Sequence, residues 1–132
     1  MIKIFIVEDH PIVRQGYALL LQREPNMELC GEATSGHQAL EQISHFVPDL
    51  VVVDISLEGD MNGMDLTKVL LDLYTTLPIL VVSGHDEAIY AKRLLEIGAR
   101  GYVMKGDAMA FLQAVRRVAK GETYISDYGQ KE

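Results

Sequence analysis

The stretch DLVVVDISL, residues 49–57, decides the fold of this chain. It is a short apolar run rich in β-branched residues, with Pro48 before it and the carboxylate of Asp54 near its end. This pattern is typical of a strand that is buried on both faces of a parallel sheet. Ligands of open α/β sheets bind beyond the carboxyl ends of the central strands, so Asp54 is a candidate for chemistry. The alternative is a strand-end aspartate that only caps the next loop.

Length, charge and cysteine content limit the function classes. The chain has 132 residues, 48% of them hydrophobic, which suits one domain with its own core. Its net charge is −7 and no block of Lys or Arg stands out, so these residues are not expected to bind nucleic acid directly. A single cysteine, Cys30, excludes an internal disulfide and a cysteine-based zinc site. The N-terminal apolar run is too short for a signal peptide or a membrane span, so the expected setting is the cytoplasm.

Strand and helix patterns alternate along the chain, with short connections. Apolar runs predict strands at 2–7, 28–33, 78–82 and 101–104, in addition to the one that ends at Asp54. Pro11 suits the first position of a helix, and the last helix is predicted to begin at about Asp107. Five strands that alternate with five helices predict a doubly wound parallel α/β sheet. The predicted domain covers 1–121, and 122–132 are predicted to be a C-terminal tail or the start of a linker.

Helical spacing predicts which side chains face the sheet and where helices begin. The predicted inward residues of the first and third helices are Ile12, Leu19 and Leu20, and Leu66, Val69, Leu70 and Leu73. Predicted helix starts lie at Thr34 or Ser35 for the second helix and near Asp86 and Glu87 for the fourth.

Polar residues follow four of the predicted strands. Glu8 and Asp9 follow the first, Asp54 the third, Ser83 the fourth and Lys105 the fifth. Parallel strands end at the same edge of a sheet, so these side chains are expected to lie close together. Carboxylates held close repel one another unless a hard divalent cation or a proton intervenes. An oxygen-lined site of this kind suits Mg²⁺.

The residue types at this edge match the needs of phosphoryl transfer, which are a nucleophile, a metal, a fixed cation and a hydroxyl donor. The chain has no Walker-type Gly-Lys-Ser loop to hold a nucleotide, so the predicted nucleophile is a carboxylate that forms a phospho-aspartate. Each residue has an ordinary alternative. Ser83 could be a helix N-cap, Lys105 a solvated loop cation, and Tyr102 a strand aromatic packed on a helix.

Four stretches resemble the receiver domains of two-component response regulators. They are ED at 8–9, VVVD at 51–54, SGHD at 83–86 and GARGYVMK at 98–105. The last one is most similar to the NarL/FixJ-type subfamily. The resemblance covers the chain from its start to about Ile125. It implies a five-stranded sheet in the order 2-1-3-4-5 and a cytoplasmic signalling phosphoacceptor that is not an enzyme in the ordinary sense.

The resemblance also implies roles for individual residues at the metal site. Asp54 would accept a phosphoryl group from a sensor histidine kinase. Mg²⁺, or Mn²⁺ in its place, would be held by Asp9, Asp54 and the backbone carbonyl of Ser56, with Glu8 acting directly or through water.

Three further residues would respond to the phosphoryl group. By the same resemblance, Lys105 would pair with the phosphoryl oxygens and Ser83 would donate its hydroxyl to them. Tyr102 would change rotamer when Ser83 moves, and a partner protein would recognise the altered surface. The family resemblance allows a phosphorylation-dependent homodimer and contact with DNA only through an output domain that controls transcription. Such a domain would follow about where this chain stops, so the chain is either part of a longer regulator or a stand-alone one.

The sequence departs from the receiver pattern at several positions. Most receivers have Pro four residues after the phosphoacceptor and Gly eight after it; here these are Glu58 and Asn62, and Gly63 comes one residue late. The loop after Asp54 is therefore expected to hold one extra residue. Gly106 replaces a common Pro, so the usual cis peptide is not expected there. Ser56 stands where bulkier or amide residues are frequent and is expected to alter the access of water.

The four histidines lack metal-ligand spacing, and His10 and His85 are predicted to be loop residues beside the site and not ligands.

Three other functions fit these residues less well. A dehalogenase-type phosphatase would need a second carboxylate at the position of Ser56. A flavodoxin-like FMN carrier would need a Gly-rich phosphate loop where this chain has Glu8 and Asp9, which would repel a phosphate. A degenerate receiver that serves only as a protein-binding module fits the fold, but is disfavoured because Asp54 and Lys105 are both present, with Asp9 and Ser83.

Overall fold

A computed structural model describes residues 1–84 and 89–125 of the chain. Within these ranges the strands form one parallel sheet in the order β2-β1-β3-β4-β5-β6. The strands are β1 Ile2–Val7, β2 Met27–Ala33, β3 Leu50–Asp54, β4 Ile79–Ser83, β5 Gly101–Met104 and β6 Tyr124–Ile125.

Helices cover both faces of the sheet. They are α1 Pro11–Gln22, α2 Gly36–Ile43, α3 Gly63–Leu73, α4 Ile89–Ile97 and α5 Ala108–Ala119. Side chains of α1 and α5 share one apolar core, and side chains of α2, α3 and α4 share the core on the other face. No helix in the described part of the chain is long and apolar enough to cross a membrane.

The predicted α/β class and the strand order 2-1-3-4-5 are confirmed, and a short sixth strand extends the sheet. Tyr124 pairs with Gly101 and Ile125 with Tyr102, inside the segment that was predicted to be a tail or linker. Two residues are too few to show strand periodicity in a sequence. Side-chain contacts hold the strand in place: the guanidinium of Arg117 lies 5.6 Å from the Tyr124 ring centroid.

The central strand β3 is buried along its whole length between β1 and β4. Val51 and Val53 point into the core beneath α2, α3 and α4, whereas Leu50 and Val52 point into the core beneath α1 and α5. Each such side chain stabilises the fold by roughly 1.5–3 kcal/mol when fully buried. The strand therefore forms a fixed support that carries Asp54 at its end.

The predicted inward face of α1 was partly wrong. Ile12 and Leu19 are 83% and 59% exposed, while Tyr17 and Leu21 are buried. The buried stripe runs through positions 13, 17, 20 and 21, which have the i, i+4, i+7, i+8 spacing of one helix face. Ile12 and Leu19 lie on the side of α1 that faces away from this stripe. Leu73, also predicted to face inward, is 61% exposed in the last turn of α3.

Most predicted helix starts agree with the structure. Pro11 is the first residue of α1, and the side chains of Ser35 and Asp107 cap α2 and α5 by accepting hydrogen bonds from backbone N–H groups. The predicted roles of Asp86 and Glu87 at the start of α4 lie outside the described residues.

The loop after β3, which was predicted to hold one extra residue, leads to α3 at Gly63. Asn62 caps α3 in a reciprocal pair of hydrogen bonds with Asp65, so Gly63 becomes the first helical residue. A Cβ on Gly63 would lie 2.5 Å from the Cα of Ile55 and closer still to the carbonyl oxygen of Asp54. Glycine is therefore needed where α3 contacts the end of β3.

Replacing Gly63 by Ala should lower the free energy of unfolding by about 1–3 kcal/mol, since backbone atoms must move apart to accept the methyl group. Gly16→Ala is the matched control, because a Cβ there meets nothing within 4 Å. That variant should be unchanged or more stable by about 1 kcal/mol. Urea unfolding measures both. A Gly63→Ala protein as stable as wild type would contradict this account of the contact.

Candidate functional site

The ends of three strands bring four of the predicted side chains together. Glu8 and Asp9 follow β1, Asp54 ends β3 and Lys105 follows β5. The Lys105 Nζ atom lies 3.0 Å from Asp54 Oδ2 and 3.4 Å from Glu8 Oε1. Residues that are almost a hundred positions apart in the sequence therefore form one polar cluster at the carboxyl edge of the sheet.

Each oxygen of the Asp54 carboxylate has a contact that orients it. The side chain is fully buried, Oδ1 accepts a hydrogen bond of 3.0 Å from the backbone N–H of Ser56, and Oδ2 faces the ammonium of Lys105. Because β3 cannot shift without disturbing both cores, the position and orientation of the carboxylate are fixed by the fold. The side chain of Ser56 is exposed.

Three buried carboxylate oxygens, Glu8 Oε1, Asp9 Oδ1 and Asp54 Oδ2, have no hydrogen bond of good geometry within the described residues, although Lys105 Nζ approaches two of them and His10 Nδ1 the third. Buried polar atoms normally have a partner, because losing hydration without compensation costs free energy. Oxygens of Glu8, Asp9 and Asp54 and a ring nitrogen of His10 lie within 4.8 Å of one another. This donor set fits a divalent cation, which would compensate the oxygens that lack hydrogen bonds.

His10 is part of this cluster, although sequence analysis placed it beside the site as a loop residue. Its Nδ1 lies 2.8 Å from Glu8 Oε2 and 3.0 Å from Asp9 Oδ1. Its backbone N–H also donates to Glu8 Oε2, over 3.1 Å. Ligand spacing within a sequence motif could not reveal this contact. The signal that could have revealed the contact is the position of His10, which lies directly before Pro11 and just after the end of β1.

The charges in the cluster shift one another's pKa values. Burial raises the pKa of the Glu8 carboxyl, and the negative charge of Asp54 adds to the effect, while the hydrogen bond from His10 opposes it. Burial alone would lower the pKa of Lys105, but the close contact with the charged Asp54, together with Glu8, outweighs it and raises the pKa. Lys105 therefore remains a cation beside Asp54 at neutral pH.

Ser83 and Tyr102 meet next to this cluster. Both side chains are buried, and the Tyr102 hydroxyl donates a hydrogen bond of 3.0 Å to Ser83 Oγ. The Ser83 hydroxyl donates to the carbonyl oxygen of Gly84 over 2.9 Å. The backbone N–H of Lys105 donates to the carbonyl oxygen of Ser83 over 2.7 Å. The ends of β4 and β5 are therefore linked through both backbone and side chains.

The two loops that depart from the receiver pattern border the site. The backbone N–H of Glu58 donates to Asp9 Oδ2 over 3.3 Å, which connects the loop after β3 to the acidic cluster. Gly106, after Lys105, has a φ of +89°, a left-handed conformation that suits glycine. No cis peptide bond occurs among the described residues. The other predicted neighbour of the site, His85, lies outside them.

Comparison with known proteins gives a family match over most of the chain. The family model described as the response regulator receiver domain matches residues 4–116. The chain is 36% identical over 125 residues to the transcriptional regulatory protein DegU of Brevibacillus brevis, covering 94% of this chain and 52% of DegU. It is 34% identical over 127 residues to the response regulator GacA of Pseudomonas syringae pv. syringae, covering 96% of this chain and 59% of GacA. The chain thus spans little more than half the length of these relatives.

Solved structures give a similar result. A LuxR-family two-component response regulator from Aurantimonas is 32% identical, with a TM-score of 0.88, covering 95% of this chain and 89% of that one. The receiver domain of the putative response regulator NarL from Mycobacterium tuberculosis is 29% identical, with a TM-score of 0.83, covering 92% of this chain and 98% of that one. The isolated receiver domain of RcsB from Salmonella enterica superposes with a TM-score of 0.90 at 21% identity, covering 98% and 96%, which supports the fold alone.

The pKa of His10 should lie above its ordinary value of 6.5, because Glu8 accepts a hydrogen bond from the ring and the charge of Asp9 adds to the effect. Because folding raises this pKa, protonated His10 stabilises the protein fully at a pH below its unfolded-state pKa. This stabilisation is lost as the pH rises through the folded-state pKa. NMR titration of the imidazole in chelator-treated protein measures it. Glu8→Gln should lower the pKa; an unchanged value would contradict the proposed contact.

Proposed function

Because this chain belongs to the family of response regulator receiver domains, we propose that it is a phosphoacceptor module in which Asp54 is the residue modified. The family is one of signalling domains and not of conventional enzymes. Relatives such as DegU and the LuxR-family regulator agree with the predicted NarL/FixJ-type subfamily. The observation that carries the proposal is the buried Asp54 carboxylate, with the Lys105 ammonium 3.0 Å away and the carboxylates of Glu8 and Asp9 beside it.

In the proposed reaction, a carboxylate oxygen of Asp54 attacks the phosphorus atom of a phosphohistidine on a sensor histidine kinase. The new O–P bond forms as the P–N bond breaks, and the departing imidazole keeps the electron pair and takes up a proton. Two contacts support this role for Asp54. The backbone N–H of Ser56 fixes the orientation of the carboxylate, and the Lys105 ammonium lies where it can neutralise charge on the transferred group.

The carboxylates of Glu8, Asp9 and Asp54, with the backbone carbonyl of Ser56, are the proposed ligands of Mg²⁺ or Mn²⁺. A bound ion would supply positive charge to the phosphoryl oxygens during transfer. The oxygens that lack hydrogen bonds support this assignment, since a cation would replace the hydration they lose on burial.

The phosphoryl group brings close to two negative charges and three acceptor oxygens to the edge of the sheet. Lys105 and Ser83 are the proposed groups that respond to it. Ser83 would exchange its hydrogen bond to the Gly84 carbonyl for one to a phosphoryl oxygen, which alters the chain where β4 ends. Tyr102 is connected to the change through its hydrogen bond to Ser83 and to β6 through its pairing with Ile125.

The proposed partners are a sensor histidine kinase and, through a further domain, DNA. DegU is a transcriptional regulatory protein, and this chain matches only 52% of its length. We therefore propose that the receiver, predicted over 1–121, extends through β6 to Ile125 and belongs to a longer regulator with an output domain that controls transcription. Phosphorylation-dependent dimerisation of the whole regulator belongs to the same proposal.

Acetyl phosphate with Mg²⁺ should add one phosphoryl group to the protein, and Asp54→Asn should abolish the gain, because an amide cannot form the acyl phosphate. Intact-mass measurement detects the modification. Asp72→Asn is the matched control, since it removes an exposed carboxylate of α3 and should leave the gain unchanged. No gain in the wild type would favour a degenerate receiver that binds partners without phosphorylation, and a gain retained in Asp54→Asn would assign the modification to another residue.

Phosphorylation should shift the backbone NMR signals of Gly84 and Tyr102 in the wild-type protein. In Ser83→Ala the shift at Gly84 should be strongly reduced although Asp54 is still modified, because no hydroxyl remains to change its acceptor. Ser83→Thr is the control, since it keeps the hydroxyl and should keep the shift. Equal shifts in the Ala and Thr variants would remove Ser83 from the proposed switch.

A further inference from the structure

An imidazole faces the acidic cluster directly, and the function proposed above gives it no role. The ring nitrogen Nδ1 of His10 is closer to Glu8 Oε2 and Asp9 Oδ1 than the Lys105 ammonium is to Glu8. His10 contacts Glu8 Oε2 and Asp9 Oδ1, whereas Lys105 contacts Glu8 Oε1 and Asp54 Oδ2, so the two groups contact different oxygens of the cluster. On the His10 side, one nitrogen and two carboxylates converge.

The backbone determines where the ring lies. His10 is the N-cap residue of α1, with Pro11 locking the turn that follows. Its own N–H donates to the same Glu8 oxygen that the ring approaches, so residues 8–10 fold back on themselves at the end of β1. Although the side chain is more than half exposed, the ring is therefore placed by the chain and not by chance contact in a flexible loop.

The distances match those between neighbouring ligands of one metal ion. Two donor atoms bound at right angles on an octahedral ion, each at about 2.1 Å, lie about 3 Å apart. Nδ1 of His10 lies 2.8 Å from Glu8 Oε2 and 3.0 Å from Asp9 Oδ1. The fully buried side chains of Glu8 and Asp54 share one Lys105 ammonium, at 3.4 and 3.0 Å, and Asp9 adds a third carboxylate. The cluster therefore keeps negative charge that a divalent cation would balance, and His10 offers a nitrogen within 4.8 Å of all three carboxylates.

We propose that His10 is a ligand of the divalent cation in this site and shifts its preference from Mg²⁺ toward cations that accept nitrogen, such as Co²⁺ and Zn²⁺. Mg²⁺ binds oxygen ligands and keeps much of its water, so an imidazole adds little to its binding. Co²⁺ and Zn²⁺ bind imidazole well. This inference rests on the proposed metal site at Glu8, Asp9 and Asp54, and concerns which ion fills it.

A simpler role for His10 predicts a different pattern. If the ring only pairs with the carboxylates as a cation, any metal that takes those oxygens must displace it. Removing the ring would then leave the binding of all divalent cations unchanged or strengthen it to a similar extent. A ligand role predicts a selective loss, confined to ions that bind nitrogen.

Calorimetric titration of the whole chain with Co²⁺ and with Mg²⁺, at one fixed pH, distinguishes these roles. The wild type should bind Co²⁺ more tightly than Mg²⁺. His10→Gln should weaken Co²⁺ binding by roughly tenfold or more, while Mg²⁺ binding changes by less than about threefold. His45→Gln is the matched control, because it removes an exposed imidazole just after the C-terminal end of α2, and it should change the binding of neither ion.

Proton NMR of the Co²⁺ complex supplies a second measurement. A strongly shifted imidazole N–H signal should appear in the wild type and in His45→Gln, and be missing in His10→Gln. The persistence of Mg²⁺ binding in His10→Gln shows that the variant is folded. Unchanged Co²⁺ binding, equal losses for both ions, or a shifted signal that survives in His10→Gln would each overturn the assignment of His10.

The proposed metal site is tested separately by Asp9→Asn. This variant should lose affinity for both ions, whatever His10 does. If Asp9→Asn binds Mg²⁺ as the wild type does, the metal site itself is wrong; if only the His10 result fails, the site stands and His10 is not its ligand.

Discussion

The contact between the buried carboxylate of Asp54 and the ammonium of Lys105 is the interaction on which the rest of the site depends. A carboxylate without a partner at the end of an apolar strand would cost several kcal/mol in lost hydration. The partner comes from the end of β5, on the far side of β4, so the pair can form only when β3, β4 and β5 run parallel and in register. The apolar cores on both faces of the sheet therefore determine the geometry of this ion pair as well as the fold.

The sequence predicted the sheet and its polar edge because both depend on strong local signals. Runs of buried β-branched residues identify central strands, and parallel topology then brings their ends together. The orientation of α1 was less predictable, because apolar residues occur on more than one of its faces and only packing decides that Tyr17 is buried and Ile12 exposed. β6 has two residues and depends on tertiary contacts with α5. His10 enters the site because the chain turns back at the end of β1, a feature that no spacing rule describes.

The loop after β3 illustrates how packing sets the start of a helix. Asn62 ends this loop, and its hydrogen bonds with Asp65 set the first turn of α3. Gly63 then meets the backbone of Asp54 and Ile55 where a methyl group would not fit. Close packing thus requires a glycine where α3 meets the end of β3. Because the apolar cores on both faces of the sheet fix β3, the space beside Asp54 sets this requirement.

The hydrogen bonds of Ser83 limit how a phosphoryl group could change the structure. Its hydroxyl has one proton, which goes to the carbonyl of Gly84, and its oxygen already accepts the proton of Tyr102. A phosphoryl oxygen is another acceptor, so it competes with Gly84 and not with Tyr102. Tyr102 is fully buried in this arrangement, and its contact with Ser83 needs no phosphoryl group. The first change on phosphorylation is therefore expected in the backbone just after β4, with Tyr102 holding β5 against it. A rotamer change of the tyrosine would come second, as a consequence of that shift.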